Sequence, residues 1–187
     1  MLVNIMKEAG YKEALIGLGL SYDLTSSTKE LSPELAAALA GVARKLYNKE
    51  DGHNKFLESM QMWIDVTAPR FWHSEADTYR VGESKQSQST MHTIFRNPFT
   101  QSMFERPMPL STLEYLEILR VSKDFEGLKN MLPEGFLQRR IWNVNYKVLR
   151  NILRQRKNHK LKQWQYFCNY IYVNAEHSEF FDDIFSK

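Results

Sequence analysis

The residues of this 187-residue chain best equipped for chemistry are its arginines. Arg80, Arg139 and Arg156 each carry a guanidinium that stays charged and forms a rigid fork for carboxylate or phosphate. Such a fixed cation also favours loss of a proton from a neighbouring acid, lowering its pKa by about 1–3 pH units. Two asparagines, Asn145 and Asn151, flank Lys147 six residues apart, so they share a broad side of any helix that holds them. An amide offers both donor and acceptor, which suits the polar edge of a heterocycle. Ser84, Ser87 and Ser89 lie in a polar stretch whose hydroxyls and amides can receive a phosphate. Each residue also has a plainer use. Arg156 sits in the run Arg154-Gln155-Arg156-Lys157, whose spacing alone reads as a solvated helix face. Arg139 has Arg140 beside it and can serve a surface ion pair. His53 can cap the turn after Asp51-Gly52.

Several kinds of chemistry are missing from the sequence. There is a single cysteine, Cys168, so no internal disulfide and no Cys-x-x-Cys pair exist. In Phe167-Cys168-Asn169-Tyr170 it reads as a small core residue suited to a reducing compartment. The histidines, His53, His73, His92, His159 and His177, show no metal-ligand spacing. Gly-x-Gly-x-x-Gly, P-loop and Gly-x-Ser-x-Gly patterns are absent. A formal charge of +3 is mild for a dedicated nucleic-acid binder but permits an anionic small ligand. No signal-peptide-like or membrane-length apolar run occurs, so a cytoplasmic protein is expected.

These side chains need a scaffold, and the pattern of apolar residues suggests one. Ala14–Leu20 reads as a strand or a strand running into a loop, and Ser26-Ser27-Thr28 as a polar break. Ser32-Pro33-Glu34 opens a helix running to about Tyr47. Asn48–Asn54 is a turn. Met60, Met62, Ile64 and Val66 alternate with Gln61, Trp63 and Asp65, a half-buried strand. Arg70–Tyr79 reads as helix and Gly82–Ser89 as loop. The segment near 95–110, with three prolines between Asn97 and Pro109, reads as an irregular insertion. Ser111 and Glu114 form a capping-box pattern. Helices follow to Met131, from about Trp142 to Arg156, and from about Lys160 to Asn174. The order implies an α+β fold in a single domain over 1–187.

Two stretches resemble the flavin-dependent thymidylate synthases. In the first, His53, Glu58, the Met60–Val66 strand and Ala68-Pro69 fall in the family's order. Thr78-Tyr79-Arg80 then stands at the family's R-H-R, Ser84, Gln86 and Ser89 at its S, N and S, and Met91-His92 at its final R-Y. In the second, Leu132-Pro133, Arg139, Trp142, Asn145, Asn151, Arg156 and Gln163-Trp164 follow the family pattern. The resemblance implies a central, mostly antiparallel sheet flanked by helices, the fold of the thymidylate synthase complementing proteins. It implies bound FAD, with NADPH and methylene-tetrahydrofolate as co-substrates, and transfer of a one-carbon unit to C5 of dUMP or a related pyrimidine nucleotide. FAD would meet His53, Tyr79, Arg80, Asn145, Lys147 and Asn151. The nucleotide would meet Glu75, Ser87, Ser89, Arg139 and Arg156, with Arg156 at the base favouring loss of its N3 proton. A homotetramer with sites at subunit contacts is expected by the same resemblance.

The departures from the pattern are chemical. Thr78 and Met91 remove two guanidinium groups, and losing one charge-assisted contact costs about 1.5–3 kcal/mol. Lys85 or His92 are the residues at hand to compensate. Two other readings therefore stand beside the enzyme: an inactive nucleotide or flavin binder on the same fold, and a nucleic-acid-binding helical module. The latter would use the basic run Arg150, Arg154, Arg156, Lys157, His159, Lys160 and Lys162 with Trp164, Tyr166 and Phe167.

Overall fold

The computed structural model describes residues 1–24, 30–49 and 52–186. The expected break at Ser26-Ser27-Thr28 lies outside these, as does Asp51 in the expected turn at 48–54. Along the chain come β1 (Leu2–Ala9), α1 (Tyr11–Leu20), α2 (Pro33–Leu46), a 3-10 turn (Lys55–Glu58), β2 (Gln61–Pro69), α3 (Arg70–Ala76), β3 (Glu83–Ser87) and α4 (Thr90–Thr93). A second 3-10 turn (Gln101–Met103) precedes α5 (Leu110–Val121), α6 (Phe125–Met131) and β4 (Leu137–Asn145). The chain closes with α7 (Tyr146–Arg156), α8 (Lys162–Asn174), a 3-10 turn (Ser178–Phe181) and α9 (Asp182–Phe185).

The strands pair in the order β1-β2-β4-β3. Backbone bonds fix their directions. Gln88 N–H donates to the Arg139 carbonyl and Asn145 N–H to that of Gly82, so β3 runs back as β4 runs forward. Arg70 N–H donates to Phe136 and Tyr146 N–H to Met60, which sets β2 against β4 in the same way. The result is the expected α+β arrangement, an open antiparallel sheet flanked by helices.

Where one face of an element is buried, the pattern reading agrees with the fold. Met62, Ile64 and Val66 are buried along β2, while Gln61, Trp63 and Asp65 are partly exposed. Ser32 caps α2, its Oγ accepting the Leu35 N–H at 3.2 Å. Other expectations need correction. Ala14–Leu20 is helix, not strand: Ala14, Leu15, Ile16, Leu18 and Gly19 are all buried, and an apolar run covered on most sides shows no period to read. Gly82–Ser89 is not simply loop, since Glu83–Ser87 forms β3, an edge strand that is polar throughout. Trp142 to Asn145 completes β4, and helix begins only at Tyr146. Ser111 caps nothing, because α5 has already begun at Leu110 behind Pro109.

Contacts group the chain into two compact units. One comprises Met1–Asn4, Asp65–Arg80 and Lys85–Trp142; Ile94, Phe104, Leu116, Leu119, Leu128 and Leu132 form a buried cluster there. Its 95–110 segment is largely irregular, anchored by a bridge between Phe104 and Phe136 and by Glu105, which binds the N-terminal ammonium at 3.0 Å. The other comprises Ile5–Ile64, Val81–Ser84 and Asn143 onward, and buries Leu57, Tyr146, Leu149, Trp164, Phe167 and Phe180. No helix among the described residues is long and apolar enough to cross a membrane.

Candidate functional site

The junction of β4 and α7 is built around Asn145. It ends the strand, and its Oδ1 accepts the Val148 N–H at 2.9 Å, capping the helix. Its own N–H donates to the Gly82 carbonyl at 3.1 Å, and only 8% of the residue is exposed. Gly82 has φ +70°, and a Cβ there would lie 2.4 Å from Asn145 Nδ2 and 2.8 Å from Val148 Cγ2. Only glycine allows this backbone to come so close to the helix N-terminus.

Beside this junction is a cavity of about 460 Å³, within the roughly 300–1,000 Å³ range of small-molecule sites. Asn145, Lys147, Val148, Asn151 and Arg154 line it from α7, Val81 and Gly82 from before β3, and Asn54 and Glu58 from the 3-10 turn. Lys147 Nζ meets Glu58 Oε1 at 2.7 Å in a half-exposed pair. Arg150 also borders the cavity, with both terminal nitrogens turned to Asp183 at 2.9 Å. Two adaptable amides, cationic lining groups and a backbone approach open only to glycine form a donor set that fits an anionic cofactor carrying a heterocycle. Thus the structure gathers three residues expected to meet flavin, Asn145, Lys147 and Asn151. Sequence reasoning missed Gly82, Arg150 and Arg154 as lining. Arg154 follows Asn151 by three residues, one helical turn, and was readable from that spacing.

His53 lines a different cavity, of about 380 Å³, with Ser21, Tyr22, Lys55 and Ser59. The turn Lys55–Glu58 contributes to both spaces, Glu58 to the first and Lys55 and Phe56 to the second. Arg156 ends α7 with Nη1 3.0 Å from His159 Nε2 and its guanidinium 4.9 Å from the ring centre of fully buried Trp164. It is packed rather than a freely solvated member of its basic run.

The remaining expected residues belong to the other unit. Arg139 and Arg140 are neighbours on a strand and so point to opposite faces. Arg139 is held by Asp65, with Nε at 2.9 Å and Nη2 at 2.6 Å from the two carboxylate oxygens. That bond raises its already high pKa further. Arg140 Nη1 donates to Asp77 at 2.7 Å. Lys85 donates to the Tyr79 carbonyl at 2.9 Å and lies 4.9 Å from the Trp142 ring centre. Arg80 is exposed, its Nε 3.4 Å from the Asp77 carbonyl. Glu75 is half-buried at the end of α3. Ser87 ends β3 exposed, and Ser89 flanks α4, its carbonyl accepting Thr93 Oγ1 at 2.8 Å. His92 is exposed on α4. Among the described residues no cluster of metal-ligating side chains occurs.

The same fold is found in solved structures. ThyX from Helicobacter pylori with FAD and dUMP superposes with a TM-score of 0.78 at 17% identity, covering 100% of both chains. A second structure of that enzyme, complexed with FAD and dUMP, gives 0.77 at 17% identity over 98% of this chain and 99% of that one. The UMP/dUMP methylase PolB from Streptomyces cacaoi, bound with 5-Br dUMP, gives 0.73 at 13% identity over 99% and 94%. No curated protein matches the chain in sequence. The family model for thymidylate synthase complementing protein matches residues 11–175. With an antiparallel sheet feeding an asparagine-capped helix, the chain belongs to the thymidylate synthase complementing protein family.

Proposed function

We propose that the protein is a flavin-dependent thymidylate synthase-like enzyme. It transfers a one-carbon unit from methylene-tetrahydrofolate to C5 of dUMP or a related pyrimidine nucleotide, using FAD and NADPH. The observation that carries this reading is the cavity where Asn145, Lys147 and Asn151 converge beside Gly82. When bound, reduced flavin supplies the hydride. Asn145 and Asn151 orient the ring edge, and Lys147 leaves Glu58 to meet an anionic group. The family resemblance adds His53, Tyr79 and Arg80 as candidate FAD contacts, with His53 lining the separate cavity. Arg156, steadied by His159 and Trp164, faces the base and favours loss of its N3 proton. Arg139 exchanges Asp65 for the nucleotide, with Glu75, Ser87 and Ser89 around it. A cytoplasmic homotetramer is the working form.

A second reading, a nucleotide or flavin binder without turnover, is favoured by one observation. Lys85, one of the two residues at hand to replace the missing late arginine, is already committed to the Tyr79 carbonyl and the Trp142 ring. Titration with FAD followed by tritium release from labelled dUMP separates the two. The enzyme binds flavin and releases tritium, and Arg156→Ala abolishes release while the fold persists. Bound flavin without release leaves only the binder, and no flavin uptake ends the enzyme reading and leaves at most a nucleotide binder.

A further inference from the structure

Helix α7 also packs against residues 176–186, which lie beyond the stretch matched by the family model. Phe180 and Phe181 are fully buried there. Phe181 stacks on Tyr146, the first residue of α7, at 5.2 Å and 13°. One turn further on, Arg150 is gripped by both oxygens of Asp183, each at 2.9 Å, and also donates to the Phe180 carbonyl. Its guanidinium lies 4.8 Å from the Tyr47 ring centre. The Arg150 side chain is only 3% exposed, yet the residue borders the cavity lined by Lys147, Asn151 and Arg154.

That arrangement gives the ion pair a task. A buried guanidinium deprived of its carboxylate is a strongly unfavourable charge and must move to solvent. The cavity is a solvent-open space that Arg150 already borders. We infer that Asp183 is a positioning residue for cofactor binding: it holds the Arg150 guanidinium against the C-terminal segment and so keeps the α7 cavity open. This rests on the reading of that cavity as the flavin site. Asp183 touches no ligand and acts only through Arg150. The linkage is reciprocal, so a cofactor that needs the cavity open must also stabilise the segment that holds it open.

The test is a flavin titration followed by fluorescence quenching, with circular dichroism recorded on each protein. Wild type binds FAD. Asp183→Asn raises Kd on the order of tenfold or more, within the usual range of such couplings. Hydrogen exchange on wild type gives a second measurement that needs no variant to fold: FAD slows exchange of the amides of residues 180–186. Asp183→Asn binding FAD like wild type overturns the inference. So does exchange in 180–186 that ignores bound FAD. Failure of wild type to bind FAD overturns the flavin reading itself, and this inference with it.

Discussion

Gly82 shows how much one residue can decide. Its φ of +70° is unfavourable for any side chain, and a Cβ would press on Asn145 and Val148 at 2.4 and 2.8 Å. Gly82→Ala combines left-handed strain with overpacking, so a loss of about 2–4 kcal/mol is expected. Urea unfolding measures it, and a loss under 1 kcal/mol would show that the junction yields. His73 is the second case. It is 1% exposed, its Nε2 is 2.9 Å from the Gln138 carbonyl, and burial pulls its pKa down to about 4 from 6.5. Nearby Arg140 and Lys85 depress it further, and Asp77 opposes them. Between these two pH values the unfolded chain holds a proton that the folded one lacks. Stability is therefore complete above about pH 6.5 and falls as pH drops towards 4, by on the order of 3 kcal/mol. His73→Gln keeps a donor for the Gln138 carbonyl and does not titrate. Its stability, measured from pH 7 to 4, should fall less steeply than that of wild type; parallel curves would assign the acid sensitivity to other groups.

Among the elements, α7 joins stability to ligand binding because one side chain serves both. Asn145 Oδ1 caps the helix while the residue lines the cavity. Asn145→Ala should cost about 1 kcal/mol through the lost cap and also weaken FAD binding. Asn145→Ser retains a capping oxygen but lacks the amide, so stability should recover while FAD binding stays weak. Thermal unfolding and flavin titration of the pair separate the two roles, and equal recovery of both properties would leave Asn145 a cap alone. The elements also show what local sequence conveys. α2 and β2 were legible because Ser32-Pro33 marks a start and Met62, Ile64 and Val66 alternate. Completely covered α1 has no polar face to reveal its period. β3 has no apolar residue to signal a strand, and its pairing with β4 comes from outside its own sequence. At β4, Trp142 and Val144 do alternate as buried residues, but the pattern reading ran them into the helix that follows and drew the boundary too early, whereas the resemblance to an asparagine-led helix put Asn145 at its start.

At the scale of the molecule, the order of motifs identified the family, and the packing that makes the candidate site was only partly visible. Asn145, Lys147 and Asn151 were legible because they lie on one short helix and its cap. Gly82, Arg150 and Asp183 were not, since their roles come from contacts between segments at least 33 residues apart. Cys168 offers a report on the whole unit that contains the cavity. It is fully buried in α8, and burial pushes its thiol pKa up to about 12, despite some opposition from Arg156. The reactive species is the thiolate, so alkylation of the native protein at pH 8 must pass through an opened state. A ligand that binds only the closed state stabilises it by about 2.7 kcal/mol at one hundred times its Kd. Saturating FAD should therefore slow iodoacetamide labelling of Cys168 by about a hundredfold, provided opening also disrupts the cavity and reclosing outpaces alkylation. Mass spectrometry of the intact protein follows the reaction. Rapid labelling without FAD would show that α8 opens by itself. A slow rate that ignores bound FAD would show that the cavity survives the opening, placing the least stable part of this unit away from α7.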